Sequence, residues 1–138
     1  MVKTVRDHYA DHLGPVYTWM VGDIDVALSR SAVELDALQV PTKVGGTAVD
    51  LGAGFGLHAL PLARRGFSVV AMDTCDALLQ ELEARKESLP IRAVNADLLA
   101  FREHVGSPIL WQHFATMCPH PCKASAVSFW SAATRSEY

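Results

Sequence analysis

Val49-Asp50-Leu51-Gly52-Ala53-Gly54-Phe55-Gly56 is the stretch that decides how the chain is read. Ahead of its glycines, Ala48-Val49-Asp50-Leu51 is a short apolar run, the pattern of a buried strand. Behind them, residues 57–65 read as a helix, closed by Gly66 as a C-cap. Arg64 and Arg65 fall in its last turn, where the helix dipole favours cations. Pro61 lies near enough to the start to be tolerated. Glycines between a strand and a helix let the backbone bend tightly and let a ligand approach to contact distance. The helix N-terminus behind them is expected to offer unpaired N–H groups and a positive dipole end.

Outward from this loop, strand and helix alternate. Phe67-Ser68-Val69-Val70-Ala71-Met72 is a second strand, and Ile91-Arg92-Ala93-Val94-Asn95-Ala96 is a third. Residues 76–87 between them form a helix with Leu78, Leu79 and Leu82 on one face. Glu81 and Arg85 read there as a solvated i,i+4 pair and nothing more. A β-α-β-α-β series implies a parallel sheet with right-handed crossovers. Residues 1–40 look helical, through Tyr9, Leu13, Val16, Tyr17 and Met20, with Gly14-Pro15 interrupting. A second helical pattern follows through Val26, Leu28, Val33, Leu35 and Leu38, and residues 41–46 read as a turn. Beyond residue 101 the alternation stops. Two of the three tryptophans lie in residues 102–138, and Met117-Cys118-Pro119-His120-Pro121-Cys122-Lys123 cannot be regular structure with two prolines so close. The expected organisation is an N-terminal helical cap at 1–46, a βαβαβ core at 47–101 and an atypical tail at 102–138.

The spacing of the glycines separates two ligands. A dinucleotide fingerprint, G-x-G-x-x-G, would place its third glycine at position 57, which is Leu57; the glycine falls at Gly56 instead. Asp50 sits two residues before the first glycine, where a carboxylate suits a ligand bearing an ammonium group and is poorly placed for a pyrophosphate. Asp73, itself followed by Thr74, comes just after the second strand and 21 residues past Gly52, where a carboxylate can accept both hydroxyls of a ribose. NAD enzymes share that feature. Asp97 follows the third strand in Asn95-Ala96-Asp97-Leu98-Leu99. It can accept from an adenine amine while Ala96 and Leu98 pack on the ring.

On these residues, the segment 48–101 resembles the cofactor half of class I S-adenosylmethionine (SAM)-dependent methyltransferases of the small-molecule type. The resemblance implies an α/β, three-layer Rossmann-like core and methyl transfer from SAM to an acceptor that the sequence does not identify. It implies cofactor contacts from Asp50, Gly52, Ala53, Gly54, Phe55, Gly56, Asp73, Thr74, Asp97 and Leu98. Tyr9-Ala10-Asp11-His12-Leu13 and Pro15-Val16-Tyr17-Thr18-Trp19-Met20 are similar to the helical cap before this core, which implies that Tyr9 and Tyr17 line the methionine end. Such enzymes have a seven-stranded sheet, and here the likeness fades near Gly106-Ser107-Pro108. A βαβ unit alone takes roughly 30 residues, so the tail cannot supply four more strands with their helices. A core incomplete at the C-terminus, from a truncated or altered chain, is therefore expected. Three strands alone would leave Val49, Val69 and Val94 under-covered and one edge unpaired. Trp111, Phe114, Phe129 and Trp130 are the expected cover.

Composition narrows the function further. The chain has 138 residues, 50% hydrophobic, enough for one domain with a sizeable core. Its net charge is −3 and it has no long basic run, so neither nucleic acid nor an anionic membrane is an expected partner. No apolar stretch approaches the roughly 18–20 residues needed to span a bilayer. The N-terminus lacks the apolar region of a signal peptide, and a cytoplasmic location is expected. Cys75, Cys118 and Cys122 are then reduced thiols. No metal is expected. His8 and His12 lack the glutamate of H-E-x-x-H, and Cys118, His120 and Cys122 lack a second ligand pair. Methyl transfer needs a base only when the nucleophile starts protonated, and no catalytic base is identifiable. His58, at a helix start, reads as exposed. Plainer readings stand beside these: an ordinary turn for the glycines, caps for Asp73 and Asp97, core packing for Tyr9 and Tyr17. An NAD-binding protein and a SAM-binding chain without turnover are the competing functions.

Overall fold

A computed structural model describes residues 14–42, 45–105, 111–117 and 124–130. The elements run α1 (Gly14–Val21), α2 (Ile24–Ala37), β1 (Gly46–Leu51), α3 (Ala59–Arg64), β2 (Phe67–Asp73), α4 (Asp76–Arg85) and β3 (Ile91–Asn95). A 3-10 turn (Leu98–Ala100), α5 (Phe101–Val105), β4 (Trp111–Met117) and β5 (Ala124–Trp130) follow. Gly14-Pro15 therefore opens α1, a position where the missing proline N–H is harmless.

The five strands form one sheet in the order β3-β2-β1-β5-β4. β1 pairs parallel with β2, and β2 parallel with β3. Both crossovers step in the same direction, so their right-handedness puts α3 and α4 on one face. Leu60 and Leu62 of α3, and Leu78, Leu79 and Leu82 of α4, are buried there. Each buried leucine contributes about 1.5–3 kcal/mol over leaving it in water. Along β1 and β2, consecutive residues Ala48 and Val49, and Val69 and Val70, are all buried. Consecutive side chains point to opposite faces, so both faces of these strands are covered, as a parallel sheet requires. The expected under-coverage of Val49 and Val69 is thus not found; Val94 on β3 is half-buried.

The tail also departs from expectation. Its two strands pair antiparallel with each other, and β5 pairs antiparallel with β1, with Val127 opposite Asp50. Trp111 and Phe114 lie in β4 and Phe129 and Trp130 in β5, so these segments extend the sheet in its own plane. The physical reason is the open edge of β1. A row of unpaired N–H and C=O groups is satisfied by a strand and not by side chains laid over a face.

In α2, Leu28, Ser31 and Leu35 are buried while Val26 and Val33 are 56% and 65% exposed. Two residues along a helix is about 200° of rotation, so the valines fall opposite the leucines. Asp23 caps the helix start by accepting from the Asp25 and Val26 amides. At its end, Gln39 N–H donates to Asp36 O and Val40 N–H to Leu35 O, both at 2.9 Å, a Schellman pairing. Arg65, one residue past α3, donates to Val40 O at 2.7 Å and Ala32 O at 2.9 Å and pairs with Asp36. This guanidinium does more than face its own helix dipole: it binds the last turn of α2 to the end of α3. Gln39 holds the left-handed position of that Schellman pairing at φ 56°. Gln39→Gly is therefore expected to stabilise the fold by about 0.5–1 kcal/mol, seen as a higher urea midpoint with an unchanged m-value.

Among the described residues no helix is long and apolar enough to cross a membrane. Cys75 is a buried free thiol.

Candidate functional site

The loop after β1 bends through three glycines with positive φ, +77° at Gly52, +54° at Gly54 and +98° at Gly56. Four of its amides find acceptors within the loop and its neighbours. Gly52 and Ala53 N–H both donate to Met72 O, at 2.8 and 2.9 Å, and Gly56 N–H donates to Ala53 O at 2.9 Å. Gly54 N–H donates to Asp73 Oδ2 at 2.8 Å. Two of the glycines serve different ends. A Cβ on Gly52 would meet nothing within 4 Å, so the backbone there faces open space. A Cβ on Gly56 would lie 2.4 Å from Leu82 Cδ1 and 3.2 Å from Leu60 Cγ, so Gly56 lets the loop close against α3 and α4.

The expected helix-dipole contribution is corrected. α3 has only six residues and starts at Ala59. The Leu60 and Leu62 amides donate to Gly56 O and His58 O, both at 3.0 Å. So short a helix brings little dipole to the loop.

Asp50 and Asp73 both sit at the carboxyl end of the sheet, with Ala71 opposite Asp50 and Asn95 opposite Asp73 in register. Asp50 is 0% exposed and Asp73 3%. The Asp73 carboxylate accepts the Gly54 amide on Oδ2 and the Cys75 amide on Oδ1, at 2.9 Å, joining the β2 exit to the glycine loop. Thr74 beside it is half-buried and Ala53 is buried. Ala96 N–H donates to Asp73 O at 3.2 Å, which brings the β3 exit to the same edge. Asp97 there is exposed and caps the 3-10 turn, its Oδ1 accepting from Leu99 N–H at 2.9 Å. Leu98 is 40% exposed beside it.

Phe55 is fully buried, so its side chain belongs to packing. Its ring lies 5.6 Å from that of Tyr17, tilted by 50°. Tyr9 lies outside the described residues, as do His8, His12, Cys118, His120 and Cys122. His58 is not exposed: its side chain is 12% accessible and Nε2 lies 3.7 Å from Glu34 Oε2 on α2. The solvated Glu81–Arg85 pair is also corrected. Arg85 Nη1 donates to Glu81 Oε2 at 3.0 Å, both groups are part-buried, and Thr18 Oγ1 lies 3.1 Å from each Glu81 carboxylate oxygen. A cavity of about 320 Å³ opens elsewhere, between α2 and α3, lined by Asp25, Leu28, Ser29, Ala32, Pro61, Arg64 and Arg65. None of the candidate site residues borders it.

A parallel β-α-β-α-β sheet, with a glycine loop at its first strand exit and carboxylates gathered at the same edge, defines a Rossmann-like α/β domain. The sequence profile described as "Methyltransferase domain" matches residues 49–125, more than half of the chain, and the chain belongs to that family. Its general chemistry is methyl transfer. The match runs past residue 106, where the likeness appeared to end on motifs alone, through β4 to the start of β5. No curated protein matches the chain.

Proposed function

We propose that the chain binds SAM at the glycine loop and transfers its methyl group to a small-molecule acceptor. The observation that carries this reading is the state of the loop amides. Those of Gly52, Ala53, Gly54 and Gly56 already have acceptors, while the backbone at Gly52 faces open space. A pyrophosphate is held by free backbone donors, and this loop has given up four of them. Two buried carboxylates beneath the loop favour a cation there, and SAM carries an ammonium and a sulfonium. The dinucleotide reading is the weaker one on the same grounds.

The residues fit such a ligand in distinct ways. Asp50, being wholly covered, acts on a ligand ammonium through the low-dielectric loop and not by direct contact. Asp73, which accepts the Gly54 and Cys75 amides, stands at the strand exit where a ribose hydroxyl would meet its carboxylate. Asp97 keeps Oδ2 for an adenine amine, with Leu98 beside it for the ring. Tyr17, and Tyr9 ahead of it, close the methionine end. The division into a cap at 1–46, a core at 47–101 and a tail at 102–138 belongs to the same proposal. When bound, SAM supplies a methyl carbon activated by its sulfonium. The protein's part is to hold acceptor and methyl in line and keep water out.

Thermal unfolding with S-adenosylhomocysteine (SAH), SAM and NAD tests the reading. SAH at a hundredfold its Kd is expected to add about 2.7 kcal/mol of stability, and NAD none. A response to NAD alone, or to no ligand, overturns it. SAH binding without methyl transfer to any acceptor would restrict the chain to cofactor binding.

A further inference from the structure

A loop with three positive-φ glycines is costly to order, because glycine loses more conformational freedom on folding than any other residue. Something must hold it between Gly54 and Gly56, and the residue there is Phe55, buried at 0% exposure. Its ring is flanked from two elements. Tyr17 of α1 is 5.6 Å away between centroids, and Arg85 of α4 places Cζ 5.4 Å from the ring centroid. Arg85 is held in turn by Glu81, 3.0 Å away, and Glu81 accepts from Thr18 of α1 at 3.1 Å. Cation, ring and hydroxyl thus close a circuit through loop, α4 and α1. A Cβ on Gly52 would meet none of these groups within 4 Å, so Arg85, Glu81 and Thr18 act on the ligand through the loop and through α1.

We infer that Arg85 is a positioning residue for the glycine loop, acting through Phe55, and that loop order and α1 docking form one cooperative unit. The cofactor arm of this inference rests on the reading of the loop as a SAM site; the coupling itself does not. If Glu81–Arg85 were only a surface pair, its removal would leave both loop and α1 as they are.

Hydrogen exchange on the full chain tests this for wild type, Arg85→Met, Arg85→Lys and Thr18→Val. Arg85→Met is expected to speed exchange of residues 53–57 about fivefold, the equilibrium factor of one partly exposed cation–π contact, and to speed α1 with it. β2 should be unchanged. Arg85→Lys keeps a cation over the ring and should restore most of the protection. Thr18→Val should loosen α1 and the loop together, and the Kd for SAH should rise by a similar factor in both weakened variants. Unchanged loop exchange, an equal rise in β2, or no rescue by lysine overturns the inference. Wild type that fails to bind SAH, with the exchange pattern as expected, removes the cofactor reading and leaves the coupling standing. Normal SAH binding with no exchange response removes the coupling alone.

Discussion

Gly56→Ala is expected to destabilise the protein by about 2–4 kcal/mol, the sum of a strained backbone and an overpacked contact. The φ of +98° is one that residues with a Cβ rarely adopt, and the new methyl would sit 2.4 Å from Leu82 Cδ1. Leu82 is itself completely buried, so it cannot swing aside without displacing neighbours in the core. Gly52→Ala makes the informative comparison. Its φ of +77° imposes a similar backbone strain, but the methyl would meet nothing within 4 Å. Gly52→Ala should therefore cost only about 1 kcal/mol of stability while abolishing the thermal shift from SAH, because the methyl fills the space the ligand approaches through. Urea unfolding of the two variants, with and without SAH, checks both halves. Equal stability losses would mean that Gly56 is not a packing glycine.

Asp73→Asn is the second large effect, expected at about 2–4 kcal/mol. The carboxylate accepts from Gly54 N–H and Cys75 N–H in a buried position. Asparagine is nearly the same size, but it accepts on one side only and turns an NH2 toward the other backbone donor. One buried amide then faces a donor, and the tie between the β2 exit and the glycine loop opens. Asp73→Ala removes both acceptors and should be at least as damaging. Chemical denaturation measures the loss, and calorimetric titration with SAH measures the accompanying fall in affinity. An asparagine variant as stable as wild type would show that the carboxylate does not tie the loop. A stable variant that no longer binds SAH would assign Asp73 to the ligand alone.

These two positions also mark how far local pattern reaches. The strands at Gly46–Leu51, Phe67–Asp73 and Ile91–Asn95 were legible because apolar runs bounded by glycine, aspartate or proline are local signals. The buried stripe Leu78, Leu79 and Leu82 was legible because helical period alone selects it. Gly66, at φ +95° after α3, was legible as a C-cap for the same reason. His58 was misread because the partner that draws it inward, Glu34, lies on α2. The tail's pairing was not legible because strand pairing with β1 depends on an open edge far away in sequence.

Local pattern was enough to reveal the alternation of strand and helix, the bend after β1 and the presence of acids at three successive strand exits. Those follow from period, turn chemistry and spacing, which act over a few residues. Packing alone set what each of these groups touches. It separated Gly52, open to approach, from Gly56, closed by Leu82. It turned Asp73 back onto Gly54, 19 residues earlier. It buried Phe55 between Tyr17 and Arg85, and it laid β5 antiparallel along β1. Each of those outcomes depends on which distant groups become neighbours, and contact between distant groups is a property of packing that no local pattern encodes.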